Sequence, residues 1–134
     1  MRCLLITGAA GFIGSHTSLV LLNSGYKLFL LDNFSNSSPI ALQRIAQLSQ
    51  LTQEEVKERV SIIKGDVRDS SLLEDIFFSA KNNGEKIESV IHFAGLKAVG
   101  ESFDKAMDYW DINVGGTLSL LKVMEKNSCR SIVF

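Results

Sequence analysis

Short apolar runs alternate with longer segments of helical periodicity along the whole chain. The strand-like runs, rich in Leu, Ile, Val and Phe, are residues 3–6, 28–31, 60–63, 90–93 and 132–134. The segments with the length and apolar spacing of helices are residues 12–22, 39–48, 72–81 and 106–126. Turn-forming residues, among them Gly25, Gly65 and Gly84, stand at the junctions. The pattern therefore predicts strands and helices in regular alternation.

The predicted strands are expected to form one parallel sheet. Short apolar strands that alternate with helices are typical of a sheet covered on both faces and joined by right-handed crossovers. We predict an α/β fold with a doubly wound parallel sheet and the strand order 3-2-1-4-5. Residues 50–59 are ambiguous, because Thr52 and Glu55 have capping-box spacing but the segment could also extend the preceding helix.

Composition favours a single globular unit and excludes two classes of partner. Hydrophobic residues make up 46% of the 134 residues and charged residues 22%, which is enough apolar content for one buried core. The formal net charge is −1, so no strong field attracts nucleic acid or acidic lipid. No apolar run is long enough to cross a membrane, and no secretory leader pattern follows Met1. We expect a cytoplasmic protein without nucleic-acid or membrane partners.

The side chains most often used in nucleophilic or metal chemistry lack partners at a recognisable spacing. Cys3 and Cys129 form no C-x-x-C or Cys/His pattern, so we expect reduced structural thiols and no metal site. His16 lies on the first predicted helix and His92 in a buried strand, which favours structural roles over acid–base roles. Ser15 is not on a G-x-S-x-G elbow, which argues against a hydrolase triad. We predict no catalytic residue within this chain.

A glycine-rich turn between the first strand and the first helix is the strongest chemical signal. Gly8, Gly11 and Gly14 form a G-x-x-G-x-x-G motif. Glycines allow a tight turn and close approach of a pyrophosphate, and a helix N-terminus offers free N–H donors. The motif, which includes Phe12 and Ile13, thus predicts dinucleotide binding. Its spacing differs by one residue from G-x-G-x-x-G, so an ordinary strand–helix turn is the alternative.

Asp32 ends the second predicted strand, about 20 residues beyond the glycines. A carboxylate at this position can accept hydrogen bonds from the adenosine ribose, and it repels a 2′-phosphate. Because no Lys or Arg occurs between Asp32 and Ile40, NAD is favoured over NADP. The alternative is an aspartate that caps a turn, in a stretch that also contains Asn33, Ser35 and Asn36.

Two further segments follow the carboxyl ends of predicted strands. Asp66 could accept a hydrogen bond from an adenine amino group, although Gly-Asp is also an ordinary turn. Ala94 and Gly95 lie beside the point where the strand order reverses, and their small size would admit a cofactor. Lys97 could then donate to ribose hydroxyls or a phosphate, or it could be a solvated surface lysine.

Four segments together resemble the UDP-glucose 4-epimerases of the extended short-chain dehydrogenase/reductase family, over essentially the whole chain. They are residues 7–16, 31–37, 65–69 and 92–102. The last is the most discriminating, because related sugar-nucleotide dehydratases share the glycines and the aspartate but not this run. Asn113 resembles the family's helix asparagine near the nicotinamide. The resemblance implies a Rossmann fold and these NAD-binding residues: Gly8, Gly11, Phe12, Ile13, Gly14, Asp32, Asn33, Phe34, Ser35, Asn36, Ser37, Asp66, Val67, Phe93, Ala94, Gly95, Leu96, Lys97 and Asn113.

The resemblance also implies a reaction. In such enzymes NAD+ takes hydride from C4 of a UDP-hexose and returns it to the opposite face of the 4-keto sugar, which interconverts UDP-glucose and UDP-galactose. The base is a tyrosine in Tyr-x-x-x-Lys, helped by a serine, whereas Tyr26 and Tyr109 have no lysine at the fourth following position. The complete enzyme would bind UDP-hexose and could form a homodimer.

The final apolar run, residues 132–134, is followed by no turn or helix. We therefore expect residues 1–134 to be an incomplete NAD-binding domain, truncated at the fifth strand and without a substrate lobe. One interpretation is the NAD-binding portion of a UDP-glucose 4-epimerase, inactive alone. The others are a stand-alone or remnant NAD-binding domain, and part of a related NAD-dependent sugar-nucleotide dehydratase, which the segment 93–102 disfavours.

Overall fold

The computed structural model describes residues 1–134 and places five strands in one sheet. The strands are β1 (Cys3–Thr7), β2 (Lys27–Asp32), β3 (Val60–Lys64), β4 (Ile87–His92) and β5 (Ser131–Val133). Every pairing is parallel, and the order is β3-β2-β1-β4-β5. The predicted fold class and strand order are therefore confirmed.

Helices connect the strands and cover both faces of the sheet. They are α1 (Phe12–Asn23), α2 (Pro39–Leu48), α3 (Gln53–Arg59), α4 (Ser70–Asn82), α5 (Val99–Asp104), α6 (Ala106–Trp110), a π-helical turn (Asp111–Gly115) and α7 (Gly116–Lys126). The helices predicted over 12–22, 39–48 and 72–81 are confirmed to within two residues at each end, whereas the short helix α5 was not predicted. No helix combines the length and the apolar character needed to cross a membrane.

Side-chain alternation along the inner strands divides the core between the two faces of the sheet, since successive strand residues point to opposite sides. On one face Leu5 and Leu31 pack with residues of α4 and α7 such as Leu73 and Leu120. On the other face Leu4, Ile6, Leu28 and Leu30 pack with Leu22, Leu42 and Ile45 of α1 and α2. Burial of each such side chain contributes about 1.5–3 kcal/mol relative to its exposure. The core thereby fixes the strand ends that surround the site.

The ambiguous segment 50–59 contains a separate helix, α3, which the predicted capping box starts. The Thr52 hydroxyl accepts a hydrogen bond from the Glu55 amide at 3.3 Å, and the Glu55 carboxylate accepts one from the Thr52 amide at 2.8 Å. At the other end of α3, the buried Arg59 guanidinium donates to the carbonyls of Leu22 and Tyr26 at 2.6 and 3.3 Å. Arg59 therefore satisfies one carbonyl at the end of α1 and one in the turn between α1 and β2.

The segment 106–126 is helical as predicted, but a π-helical turn divides it at Asp111–Gly115. Glycine weakens α-helical propensity, and Gly115 and Gly116 stand at this junction. A Cβ on Gly116 would lie 2.6 Å from Cγ1 of Val67, so only glycine lets the helix approach the loop after β3 this closely. Such turns occur often at functional sites. Here the turn carries Asn113 to the loop after β4.

Candidate functional site

A cleft of about 460 Å³ opens at the carboxyl ends of β1, β2, β3 and β4. Its lining residues are Thr7, Gly8, Gly11, Phe12, Ile13, Gly14, Leu31, Asp32, Asn33, Ser35, Asn36, Gly65, Asp66, Val67, Phe93, Ala94, Gly95, Leu96, Lys97, Ala98 and Ile112. Its size is in the usual range for small-molecule sites. The cleft lies over the carboxyl ends of the neighbouring strands β1 and β4, where the order of the strands reverses and where doubly wound sheets bind ligands.

The predicted cofactor residues converge on this cleft, with three exceptions. Phe34, Ser37 and Asn113 are outside its lining. The ring of Phe34 packs against the core cluster on the α1 and α2 side of the sheet. The Ser37 hydroxyl donates to Oδ1 of Asp32 at 2.8 Å, and the Asn113 side chain binds the backbone of Leu96. These side chains therefore position residues of the cleft.

Two glycines of the turn after β1 are required by the fold itself. Gly8 has a φ of +66°, and a Cβ there would lie 2.6 Å from the amide nitrogen of Ala94. A Cβ on Gly14 would lie 2.2 Å from the carbonyl oxygen of Gly8. Gly11 is different, because the nearest atom to its Cβ position, the Gly8 carbonyl oxygen, is 3.3 Å away. A Cβ on Gly11 would thus make a tight contact rather than an overlap, and Gly11 lines the cleft.

The N-terminus of α1 presents unpaired backbone donors to the cleft. The amides of Phe12, Ile13 and Gly14 have no protein acceptor, and no side chain caps this helix. The first turn contains no acidic residue that would neutralise the positive end of the helix dipole. Free N–H groups and a positive dipole end together make an anion-binding site. Phe12, with 81% of its surface exposed, stands beside these donors.

Asp32 is buried at the opposite side of this turn, with 7% of its surface exposed. Its Oδ2 accepts from the amide of Ala10 at 2.8 Å, and its Oδ1 accepts from the amide of Phe34 at 2.9 Å and from Ser37. The bond to Phe34 is an Asx turn, so Asp32 does cap a turn, and its role toward a ribose stays a prediction. A carboxylate has about four lone-pair sites, and three of Asp32's are used. One remains for a ligand hydroxyl.

Asp66 is held by Arg68, a contact that the sequence did not indicate. Nε and Nη2 of Arg68 donate to the two carboxylate oxygens at 2.9 and 2.8 Å, and the Arg68 amide adds a bond of 2.9 Å. Asn33 donates at 3.3 Å. The other terminal nitrogen of Arg68 donates to Asp111 of the π-helical turn at 2.6 Å. An adenine amino group would therefore compete for an already occupied carboxylate, and that role of Asp66 stays a prediction.

The segment 93–97 forms the wall of the cleft after β4. The amide of Leu96 donates to Oδ1 of Asn113 at 2.8 Å, and Nδ2 of Asn113 donates to the carbonyl of Leu96 at 2.9 Å. A Cβ on Gly95 would lie 3.0 Å from the same Oδ1, so this glycine admits Asn113. Lys97 lines the cleft, is exposed and has no ion-pair partner. Its ammonium group is thus available to an anionic ligand.

The two histidines have the structural roles that the sequence indicated. His16 is bonded to the carbonyl of Phe12 within α1 at 2.7 Å. His92 is 5% exposed, and both of its ring nitrogens are within hydrogen-bond distance of threonine hydroxyls. Burial lowers the pKa of His92. The ring is therefore neutral at physiological pH.

The comparison with protein families agrees with the geometry of the cleft. The family model described as GDP-mannose 4,6 dehydratase matches residues 5–134. The chain belongs to this family. The match includes the glycine turn, Asp32, the loop after β3 and the segment 93–97, which are the parts that converge on the cleft.

The chain is similar to UDP-glucose 4-epimerases, as the motifs indicated. The enzyme numbered 2 of Arabidopsis thaliana is 45% identical over 133 residues, 99% of this chain and 35% of its own length. The Haemophilus influenzae enzyme is 48% identical over 131 residues, 98% and 35% of the two lengths. The crystal structure of the Bifidobacterium longum enzyme in complex with NAD+ and UDP has a TM-score of 0.86 at 46% identity, covering 99% of this chain and 36% of that one. The chain thus spans about a third of the length of these relatives.

Five lining residues were not predicted: Thr7, Leu31, Gly65, Ala98 and Ile112. Thr7 and Leu31 are at the carboxyl ends of β1 and β2, where the rule for doubly wound sheets locates ligands, so that rule could have found them. Ile112 belongs to the π-helical turn. No sequence signal predicted the turn, and therefore none predicted Ile112.

The ion pair of Asp66 and Arg68 predicts acid sensitivity. Hydrogen bonds from Arg68 lower the pKa of Asp66 from its ordinary 3.8 to about 2. Between these values the unfolded chain binds more protons than the folded chain, so the stabilisation is present above pH 3.8 and is lost as pH falls through about 2. Because the pair is partly exposed, the loss is on the order of 1 kcal/mol. Arg68→Met should raise the pKa of Asp66 towards 3.8, measured by NMR of the carboxyl carbon.

Lys126→Met is the matched control for this titration. Lys126 forms an exposed ion pair of 2.8 Å with Glu74, and neither residue lines the cleft. Its removal should leave the titration of Asp66 unchanged, because exposed pairs contribute little. An unchanged pKa of Asp66 in Arg68→Met would show that Arg68 is not the cause of the shift.

Proposed function

We propose that residues 1–134 are the NAD-binding portion of a UDP-glucose 4-epimerase. The observation that carries this proposal is the placement of two groups at one cleft. The unpaired amides of α1 suit a pyrophosphate, and the buried carboxylate of Asp32 suits a ribose hydroxyl. Both groups are at the strand reversal point of a sheet that superposes on an epimerase crystallised with NAD+ and UDP.

The residues of the cleft fit a dinucleotide. The amides of Phe12 and Ile13 would bind its phosphates, and the open side of Gly11 would admit them. The remaining lone-pair site of Asp32 would accept a ribose hydroxyl, and Lys97 would donate to a phosphate or to a second ribose. When bound, NAD+ supplies the hydride acceptor.

The charge around Asp32 supports NAD over NADP. The carboxylate is buried at the cleft, and a 2′-phosphate beside it would meet like charge. The stretch 33–40 contains no Lys or Arg that could compensate this charge. All three protein partners of Asp32 donate to its carboxylate oxygens.

We also infer that the chain alone does not epimerise sugars. A tyrosine that acts as a base at neutral pH needs a lowered pKa. Desolvation and the hydrogen bond to Glu101 instead raise the pKa of Tyr109. Neither Tyr109 nor Tyr26 has a lysine at the fourth following position. The proposed activity, interconversion of UDP-glucose and UDP-galactose through a 4-keto intermediate, therefore needs a base and a substrate lobe from outside residues 1–134.

An epimerase is favoured over a dehydratase although the family model bears a dehydratase name. The relatives described above are epimerases at 45–48% identity over nearly the whole chain. Among the segments that they cover is 92–102, whose sequence favours an epimerase.

Titration calorimetry with NAD+ and NADP+ tests the proposal. We expect saturable binding of one NAD+ per chain, at least about tenfold weaker binding of NADP+ because of charge repulsion near Asp32, and no conversion of UDP-galactose. Equal affinity for the two dinucleotides would contradict the role of Asp32. Absence of NAD+ binding by a folded chain would contradict the cofactor assignment.

A further inference from the structure

A chain of hydrogen bonds runs from β1 through β4 to α7. Oγ1 of Thr7 lies 2.6 Å from Nδ1 of His92, and Nε2 of His92 lies 3.0 Å from Oγ1 of Thr117. The Thr117 hydroxyl reaches the carbonyl oxygen of Asn113 at 2.6 Å. At the other end, the amide of Ala94 donates to Oγ1 of Thr7 at 3.3 Å. The chain thus joins β1, β4, the π-helical turn and the cleft wall.

The donors and acceptors can be arranged in only one direction. A carbonyl oxygen has no proton, so the contact from Thr117 to Asn113 uses the hydroxyl proton of Thr117. Thr117 must then accept from His92, which makes Nε2 of the ring the protonated nitrogen. Nδ1 is therefore an acceptor, and it receives the hydroxyl proton of the fully buried Thr7.

Both ends of this chain hold the same wall of the cleft. One end pairs with the amide of Ala94. The other end fixes the main chain of Asn113, whose side chain binds both the amide and the carbonyl of Leu96. Ala94, Gly95 and Leu96 all line the cleft. The His92 imidazole connects the Ala94 end to the Asn113 end, since it bonds to Thr7 on one side and to Thr117 on the other.

We propose that His92, as the neutral Nε2–H tautomer, is a positioning residue that holds the segment 93–97 in the shape that the dinucleotide requires. His92 does not line the cleft, so it acts through Thr7 and Thr117. The effect on dinucleotide affinity rests on the proposed function. The tautomer of His92 and the ordering of residues 93–97 do not rest on the proposed function, because both are properties of the ligand-free chain.

The first measurement is the tautomer of His92 in the ligand-free chain, read from its ring nitrogen shifts by NMR at neutral pH. We expect one species, protonated at Nε2 and unprotonated at Nδ1. A ring protonated at Nδ1, at both nitrogens, or exchanging between the two neutral tautomers would overturn the proposal.

The second measurement compares Thr117→Val with Thr117→Ser. Valine keeps the shape but removes the hydroxyl, so Nε2 of His92 loses its acceptor and the Asn113 carbonyl loses its donor. We expect about tenfold faster amide exchange at Leu96 and Ala94, mixed tautomers of His92, and NAD+ affinity about tenfold weaker. Serine retains the hydroxyl and should restore all three.

Ile87→Val is the matched control, because Ile87 is a buried residue at the far end of β4 and does not line the cleft. It should leave the tautomer, the exchange at Leu96 and the NAD+ affinity unchanged. Equal effects of Ile87→Val and Thr117→Val would mean that the hydrogen-bond chain acts only through overall stability, and this outcome would overturn the proposal. If the wild-type chain bound no NAD+, the proposed function would fail, while the tautomer and exchange measurements would still decide the role of His92.

Discussion

Gly8→Ala should destabilise the chain by about 3 kcal/mol, combining a left-handed backbone cost of about 1–2 kcal/mol with an overlap of similar size. The φ of Gly8 is +66°, and the added methyl would lie 2.6 Å from the Ala94 nitrogen and 2.7 Å from the Phe93 carbonyl carbon. These are backbone atoms of the cleft wall, so they cannot rotate away. We expect urea denaturation to show the loss and calorimetry to show no saturable NAD+ binding.

Gly84→Ala separates the two contributions. Gly84 has a similar φ of +74°, but no atom lies within 4 Å of its Cβ position. This variant should therefore lose only the backbone contribution of about 1 kcal/mol, and it should bind NAD+ like the wild type. Equal stability losses in the two variants would mean that the cleft wall yields to the methyl group, contrary to the packing described here.

Asp32→Ala is expected to weaken NAD+ binding by about 10- to 100-fold, the loss of a hydrogen bond to a charged acceptor. The same change leaves the amide of the buried Ala10 and the amide of Phe34 without an acceptor, at a cost of about 1–3 kcal/mol in stability. Asp32→Asn should also weaken NAD+ binding, because the side-chain NH2 of asparagine would face a hydrogen-bond donor where the carboxylate now accepts. It removes the negative charge, so the affinity for NADP+ relative to NAD+ should rise.

Asp69→Ala controls for the loss of a capping aspartate. Asp69 accepts from the amide of Leu72 at 3.0 Å at the start of α4 and does not line the cleft. Its removal should cost about 1 kcal/mol in urea denaturation without any change in NAD+ affinity. Undiminished NAD+ affinity in Asp32→Ala would refute the placement of the ribose at this carboxylate.

The convergence of four loops links these expectations to the proposed function. Gly8 lets the turn after β1 pack against Phe93 and Ala94. Asp32, at the end of β2, accepts a hydrogen bond from the amide of Ala10 in that same turn. A change in either residue therefore moves a shared binding surface rather than one contact. This coupling is the reason that stability and NAD+ affinity should fall together in both variants.

Local patterns were enough to predict the sheet order and most element positions, and the resemblance to the epimerases indicated most residues of the cleft. Apolar runs and glycine turns are local signals, and the parallel connection rule converts them into one arrangement of strand ends. Gly8, Asp32 and Ala94 could be predicted for this reason, since Gly8 directly follows β1, Asp32 ends β2 and Ala94 lies two residues beyond the end of β4. The capping box at Thr52 was likewise local, and the structure confirmed it.

The way in which those residues are held depends on tertiary packing. The bonds from Arg68 to Asp111 and from Thr7 to His92 join positions 43 and 85 residues apart, so no local pattern encodes them. The π-helical turn places Asn113 on the backbone of Leu96, and Asn113 itself does not line the cleft. Strand order follows from short-range preference and connection rules, whereas these contacts depend on distances of a few tenths of an ångström that only packing sets.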